Sequence, residues 1–240
     1  MFNDLIMLSI IVPTLNEQKH IEELLAELVP QLDRGDEIIV VDSHSKDNTV
    51  KVAEKLGAKV ILRPKKGVGL ARTEGAKVAK NDILVFLDAD CKPSDNFAKR
   101  IRKHFANNSL MAVGGLDLYH SDSNLRKIVY NTYSVSVFHM VKLGHKVTGK
   151  YWIPANNCAI RKSVFFSVGG YRSVICEDTD LMKRLPPSRD IVYDRNLVLT
   201  LSDRRFKQEG FINTVALWGW SNISAMMGSG VDVLNGYTKD

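Results

Sequence analysis

The chain has 240 residues, 45% of them apolar, with 33 basic and 27 acidic side chains and a net charge of +6. That length and apolar content suit one large α/β domain with a sizeable core, and they exclude a disordered or fibrous chain. The mild basic excess fits a phosphate-rich ligand or an anionic membrane face but selects neither, and no nucleic-acid partner is expected from it. Leu8 to Val12 is a short apolar run stopped by Pro13, which reads as a buried strand. Ile21, Leu24, Leu25 and Leu28 then recur at helical spacing, and Pro30 and Gly35 mark the end of that helix. Ile38 to Val41 is a second buried strand, closed by Asp42-Ser43-His44-Ser45. Asp47 is placed to cap a helix to about Leu56, and Lys59 to Leu62 reads as a third strand. Gly67-Val68-Gly69 opens a helix to about Ala79, and Ile83 to Leu87 is a fourth strand running into Asp88-Ala89-Asp90.

The second half is less regular. Leu110 to Leu118 reads as a strand, Leu125 to Leu143 as helix and Gly144 to Pro154 as a loop. Asn157 to Ile160 is strand-like and Lys162 to Val168 a helical turn before Gly169-Gly170. Glu177 to Leu185 reads as a helix stopped by Pro186-Pro187, and Arg204 to Met227 as a second one. Strands alternating with helices predict a mostly parallel sheet flanked by helices, with ligands at the carboxyl ends of its strands. That rule gathers Pro13 to Glu17, Asp42 and Asp88 to Asp90 on one rim.

Cys91, Cys158 and Cys176 show neither a disulfide framework nor metal-ligand spacing, so reduced thiols are expected. Met1 to Met7 lacks the basic-then-apolar pattern of a signal peptide, and no apolar run reaches the roughly 18 residues of a spanning helix. A cytoplasmic location is therefore expected, with peripheral contact at the cytoplasmic membrane face as an option.

In extended backbone, residues two apart point the same way, so Asp88 and Asp90 would aim two mutually repelling carboxylates at one spot. A hard cation, Mg²⁺ or Mn²⁺, between them and a diphosphate would relieve that repulsion. The competing reading is a simple acidic turn. Glu177-Asp178-Thr179-Asp180 carries three acids in four positions: either they complement a helix dipole, or one of them deprotonates an acceptor hydroxyl. Gly67, Gly69 and Arg72 form a glycine-flanked turn that can present N–H groups to phosphate, although the pattern is neither a Walker sequence nor a complete GxGxxG. Arg204, Arg205 and Lys207 either clamp phosphate from outside or form a solvated helix face.

Five segments in order resemble glycosyltransferase family 2 with its GT-A fold. They are IIVPTLNE from Ile10, IIVVDSHSKDNT from Ile38, LARTEGAKVAKNDILVFLDAD from Leu70, PANNCAIRKSVFFSVGGY from Pro154 and EDTDLMKRL from Glu177. The resemblance covers about residues 8 to 185. It implies that Pro13, Asn16 and Glu17 line a nucleotide pocket, that Asp42 contacts the base and that Arg72 lies near base or diphosphate. It further implies that Asp88 faces the ribose, that Asp90 holds the metal, and that Asp178 is the base of an inverting displacement supported by Glu177. Asn156 and Asn157 of the acceptor-side segment are expected at the donor or acceptor sugar, and Trp152 either stacks on that sugar or is a core tryptophan. His44 stands where the family usually has Gly, and Ser43 where Asp is frequent. The QxxRW signature of processive members is absent, so transfer of a single sugar is expected.

The expected donor is a UDP- or GDP-linked sugar, and the expected acceptor a glycan, a lipid-linked group or a protein. A sugar-phosphate nucleotidyltransferase and an inactive nucleotide-binding module are the alternatives. Residues 1 to 203 are expected to form the catalytic domain, its nucleotide-binding part about 1 to 90 and its acceptor part about 91 to 203. Residues 204 to 240 are expected to form a C-terminal helical segment. Its apolar residues, Trp218 and Trp220 among them, suit either packing on the catalytic domain or a second subunit, or a membrane interface.

Overall fold

A computed structural model describes residues 6–63, 67–149, 151–174 and 176–227, the last six without their side chains. The amino-terminal half alternates as expected: β1 (Leu8–Thr14), α1 (Gln18–Leu28), β2 (Glu37–Asp42), α2 (Thr49–Lys55), β3 (Lys59–Leu62), α3 (Val68–Val78) and β4 (Ile83–Phe86). There follow β5 (Cys91–Pro93), α4 (Phe97–Phe105), β6 (Ala112–His120), α5 (Asn124–Thr148), β7 (Cys158–Arg161), α6 (Lys162–Ser167), α7 (Glu177–Arg184), β8 (Ile191–Ser202), α8 (Arg204–Glu209) and α9 (Phe211–Met227).

All eight strands form one sheet in the order β3-β2-β1-β4-β7-β6-β8-β5. Pairing is parallel from β3 through β4. It turns antiparallel around β7, parallel again between β6 and β8, and antiparallel at the β5 edge. Of the four amino-terminal strands, β1, β2 and β4 are largely apolar because both of their faces are covered, whereas the edge strand β3 leaves Lys59 and Leu62 exposed. Ile10 and Val12 pack with Leu24, Leu25 and Ile101 on one side of the sheet. Their neighbour Ile11 packs with Ala76, Leu84 and Phe165 on the other. Parallel register from Ser9 opposite Glu37 to Thr14 opposite Asp42 brings the carboxyl ends of β1 and β2 to one edge, and the β4 end joins them.

Several expectations are corrected. The segment 144–154, read as a loop, is helical through Thr148; α5 stops at Gly149, whose φ of 68° a side chain rarely adopts. The stretch 204–227 is two helices, broken at Gly210 with φ 81°. The residue capping α2 is Asn48, while Asp47 accepts from the N–H and hydroxyl of Thr49 at 3.0 and 2.5 Å. The strands β5 and β8 and the helix α4 were not foreseen. Within the C-terminal segment, α8 packs on the body through buried Phe206, which touches Tyr119 and Tyr130 at ring distances of 4.7 and 4.5 Å. The rest of that segment, residues 228–240, lies outside the described residues. Cys91, Cys158 and Cys176 are free thiols.

Candidate active site

The loops after β1 and β2 are stitched together. Asn16 (φ 54°) and His44 (φ 62°) both occupy the left-handed region. The Asn16 N–H donates to Ser45 Oγ at 2.8 Å, and the Lys46 N–H donates to Asn16 Oδ1 at 2.7 Å. The left-handed backbone at position 44 explains why glycine suits this position; the histidine holds the same turn under strain. Asp42 is 0% exposed. Its Oδ2 accepts from Thr14 Oγ1 at 3.0 Å and Ser45 Oγ at 2.5 Å, and its Oδ1 from the Ser45 N–H at 2.8 Å. Asp42 thus shapes the turn that joins the two loops. Pro13, half-buried, sits beside Val41 in the paired strands.

Arg72 is the centre of the site. It rises from the first turns of α3, is 3% exposed, and reaches two acids at once. One terminal nitrogen donates to Asp88 Oδ1 and the other to Glu177 Oε1, both at 2.5 Å. Burial alone would lower the guanidinium pKa, and the charges of Asp88 and Glu177 raise it instead. The packing leaves no room for a side chain at Gly69, where a Cβ would stand 2.7 Å from the Arg172 carbonyl and 3.1 Å from Glu177 Cβ. This glycine therefore lets α3 approach the start of α7. Arg72 is committed to carboxylates, so the glycine turn does not offer it to phosphate in this conformation.

At that start, Cys176 takes a left-handed conformation (φ 56°) and turns the chain into α7. Asp178 is half-buried, with its Oδ1 accepting from the Thr179 N–H at 2.7 Å. Burial first and the Glu177 charge second push its carboxyl up to about 7, against the pull of Arg72. Asp180 turns away and pairs with Arg184 at 2.7 Å.

Asp88 and Asp90 do not lie in extended backbone. The strand ends at Phe86 and the chain turns at Ala89 and Asp90, and the two carboxylates take different arginine partners while Asp88 still acts on Asp90 as a like-charged neighbour. Asp88 goes to Arg72, while Asp90 Oδ2 is 3.1 Å from Arg204 Nε. Arg204 also donates through both terminal nitrogens to the two oxygens of Glu17, at 2.8 and 3.1 Å. Glu17 in turn lies 2.6 Å from His20 Nδ1. Burial, with Asp88 and Glu17 as like-charged neighbours, raises the Asp90 carboxyl, and Arg204 opposes the rise. Beside Asp90 opens a cleft of about 400 Å³, lined also by His20, His120 and Lys207. Arg205 points elsewhere: its Nε is 3.6 Å from Glu209 and its guanidinium lies over the Trp218 ring at 5.8 Å. Of the two arginines, Arg204 lies on the acidic rim beside Glu17 and Asp90.

A carboxylate that no sequence motif marks lies beside Asn156 and Asn157. Asp117 on β6 accepts from Asn157 Nδ2 at 2.7 Å and from Asn156 Nδ2 at 3.1 Å. Burial raises it to about 6 against these two donors. Gly115 makes the approach feasible, because a Cβ there would lie 1.9 Å from the Leu197 carbonyl and 2.7 Å from the Asn157 amide. Asp117, Tyr119, Trp152 and Tyr193 line a hollow of about 70 Å³. Trp152 donates its indole N–H to Thr179 Oγ1 at 2.8 Å, so its edge is fixed while the ring faces the hollow. Asp117 is one acid in an alternating strand, and only its inward placement against two consecutive asparagines would have marked it.

Among the described residues, no group of three or more His, Cys, Asp or Glu side chains converges as a ready metal cage. The donors present are hard carboxylate oxygens of Asp88 and Asp90, with like charge crowding Asp90. That set fits a divalent cation whose remaining positions are filled by diphosphate and water.

Residues 9–176 match the family described as Glycosyl transferase family 2. Among curated proteins, the chain is 36% identical over 112 residues to a dolichol-phosphate mannosyltransferase of Pyrococcus furiosus, covering 44% of this chain and 32% of that protein. It is 29% identical over 185 residues to the O-antigen chain rhamnosyltransferase RfbN of Salmonella typhimurium, covering 71% and 58%. The chain thus spans about a third of the first relative's length and somewhat over half of the second's. Among solved structures, a mannosyltransferase from Pyrobaculum calidifontis in complex with GDP-Man and Mn²⁺ superposes with a TM-score of 0.64 at 21% identity, covering 80% of this chain and 56% of that one. Glucosyl-3-phosphoglycerate synthase from Mycobacterium tuberculosis, in complex with Mn²⁺, UDP-glucose and phosphoglyceric acid, superposes with a TM-score of 0.65 at 19% identity, covering 92% and 79%. These likenesses show the GT-A fold, and with the match over most of its length the chain belongs to glycosyltransferase family 2.

Proposed function

We propose that this chain transfers a single sugar, with inversion, from a UDP- or GDP-linked donor to an acceptor hydroxyl or phosphate, a lipid-linked one included. The observation that carries the reading is the Arg72 bridge, which holds Asp88 of the β4 rim and Glu177 of α7 in one cluster. Two acidic segments distant in sequence are thereby brought to one edge of the sheet, where α/β folds bind ligands. A solvated acidic turn or a dipole-complementing helix start would need no such bridge.

In this reading the loop of Asn16 and His44 receives the nucleoside, shaped from beneath by Asp42. Asp88 and Asp90 hold Mn²⁺ or Mg²⁺, which supplies charge neutralisation for the departing diphosphate. Glu17 and Arg204 flank that position, and Arg204 is free to exchange a carboxylate partner for a phosphate oxygen. Asp178 accepts the proton of an acceptor hydroxyl as its oxygen attacks the anomeric carbon from the face opposite the diphosphate, which leaves with the bonding pair; a phosphate acceptor, already ionised, needs no base. A carboxyl with pKa near 7 is a stronger base than an ordinary aspartate and is substantially ionised at neutral pH. Burial sets most of that basicity, and the charge of Glu177 adds to it. Asp117, steadied by Asn156 and Asn157, accepts hydrogen bonds from sugar hydroxyls, and Trp152 offers its ring to the same sugar. Residues 1–203 carry these parts, and the segment from 204 contributes Arg204.

Thermal unfolding with UDP or GDP, with and without Mn²⁺, tests the reading. A ligand at about one hundred times its dissociation constant adds about 2.7 kcal/mol, roughly 5 to 10 °C for a domain of this size. The expected result is a metal-dependent shift with one nucleotide, retained in Asp178→Asn while transfer is lost. Loss of both nucleotide shift and transfer in Asp178→Asn would overturn the base assignment.

A further inference from the structure

The helix α5 is 25 residues long, yet only Tyr130 and Phe138 on it are buried. Its other side is open and carries two apolar patches, Leu125 (72% exposed) with Ile128 (64%), and Met140 (71%) with Leu143 (64%) and Val147 (80%), with exposed Thr132, Ser136 and His139 between them. At about 100° per residue the five apolar side chains fall within one arc of roughly 120°, and the two buried aromatics fall on the opposite side. The helix thus has two apolar faces, one packed on the body and one without a cover among the described residues. Two apolar patches aligned on one face of a water-exposed helix mark an interaction surface.

The charges say what covers it. The helix sequence contains Arg126, Lys127, Lys142 and Lys146, all exposed, and no aspartate or glutamate at all. Arg126 lies on one flank of this face, and Lys142 and Lys146 on the other. A second copy of the same helix would bring like charges together across the interface, which disfavours self-association. An anionic lipid surface satisfies both features at once, taking the apolar side chains between its acyl chains and the flanking cations among its phosphates. No described helix is long and apolar enough to cross a membrane, so the contact is one of lying on the surface.

We propose that α5 docks the protein flat on an anionic membrane through the two patches, Leu125 with Ile128 and Met140 with Leu143 and Val147. Hydroxyl-bearing replacements on this face leave the packed face untouched. Docking is independent of the transfer chemistry, because vesicle binding is measured without nucleotide or sugar.

The test is co-sedimentation of the full chain with phosphatidylcholine–phosphatidylglycerol vesicles and with phosphatidylcholine alone. Binding to the anionic vesicles is expected, weakening with salt, with much less binding to the neutral ones. The triple variant Ile128→Ser, Met140→Ser, Leu143→Ser is expected to bind about 100-fold more weakly, with an unchanged circular dichroism spectrum. A separate Trp220→Ser variant probes α9, where Trp220 is 73% exposed. Failure of the wild-type chain to bind anionic vesicles would overturn the proposal, as would binding unchanged in the triple variant or lost only in Trp220→Ser. So would a dimer in sedimentation velocity that the triple variant dissociates, since it would give this face to a second copy.

Discussion

Asp88 and Glu177 are held by the two terminal nitrogens of a single buried guanidinium, that of Arg72, each at 2.5 Å. The bridge joins the turn after β4 to the first residue of α7. Only a planar fork reaches both acids together; a lysine ammonium on a flexible stem cannot take the two positions. Arg72→Lys is therefore expected to lose about 3 kcal/mol, roughly 6 to 12 °C in Tm, because it leaves a poorly paired buried charge beside two acids. Nucleotide binding should weaken as well, since Asp88 loses its anchor. Thermal unfolding and nucleotide titration of the variant check both.

The proton on Asp178 links activity and stability to pH. A base must be ionised, so kcat/KM is expected to rise with pH through about 7 and then level off. Because the charge of Glu177 helps to raise Asp178, Glu177→Gln should move the midpoint to lower pH. Stability runs the other way. The folded carboxyl sits near 7 against 3.8 for an ordinary aspartate, so its stabilising contribution is complete below about 4 and is lost as pH rises through 7. The drop in Tm between pH 5 and pH 8 should accordingly be smaller in Asp178→Asn than in the wild-type chain.

Much of this site was legible in the sequence, for a physical reason. Strands buried on both faces are unbroken apolar runs, so β1, β2 and β4 announce themselves and their carboxyl ends locate Asn16, Asp42 and Asp88. The sequence did not reveal partners. Asp42 reads equally as a base contact or as turn chemistry, and only the structure shows that Thr14 and Ser45 donate to it. That Asp88 pairs with Arg72 and Asp90 with Arg204 has no signal in the sequence. The antiparallel half was harder because β8 interrupts its alternation with Asp194, Arg195 and Asn196, where its pairing with β6 shifts register. Gly144 and the lysines around it hid the last turn of α5, although its end had a clear marker in Gly149.

Asp117 is expected to matter for the sugar and not for the nucleotide. It is anchored by Asn156 and Asn157 rather than by any group near Asn16 or His44. Asp117→Asn removes a charged acceptor and sets an amide against two amide donors. Losing a hydrogen bond to a charged group costs about 1.5 to 3 kcal/mol, so kcat/KM should fall about 10- to 100-fold. The dissociation constant of the free nucleoside diphosphate should stay unchanged, and calorimetry of both ligands separates the two effects.

His44 carries strain that can be removed. Its φ of 62° costs a residue with a side chain about 1 kcal/mol relative to glycine. His44→Gly is expected to raise Tm by about 2 to 4 °C, whereas His44→Ala keeps the strain and gains nothing. If the imidazole serves the donor, the glycine variant will show a higher KM for it together with the higher Tm. A glycine variant no more stable than the alanine variant would show that the turn is not strained.

Arg204 competes for the oxygens that a cation would use. Its Nε lies 3.1 Å from Asp90 while its terminal nitrogens hold Glu17. Replacing it by glutamine removes a positive charge from beside Asp90 and frees a carboxylate oxygen. Mn²⁺ alone is therefore expected to bind Arg204→Gln several-fold more tightly than the wild-type chain, an effect of about 1 kcal/mol. The Mn²⁺–nucleoside diphosphate complex should bind several-fold more weakly, because the arginine that turns to phosphate in the liganded state is gone. Opposite signs for the two titrations would identify Arg204 as a side chain that trades Asp90 for the diphosphate. Equal weakening of both would make it a structural tie between α8 and the rim.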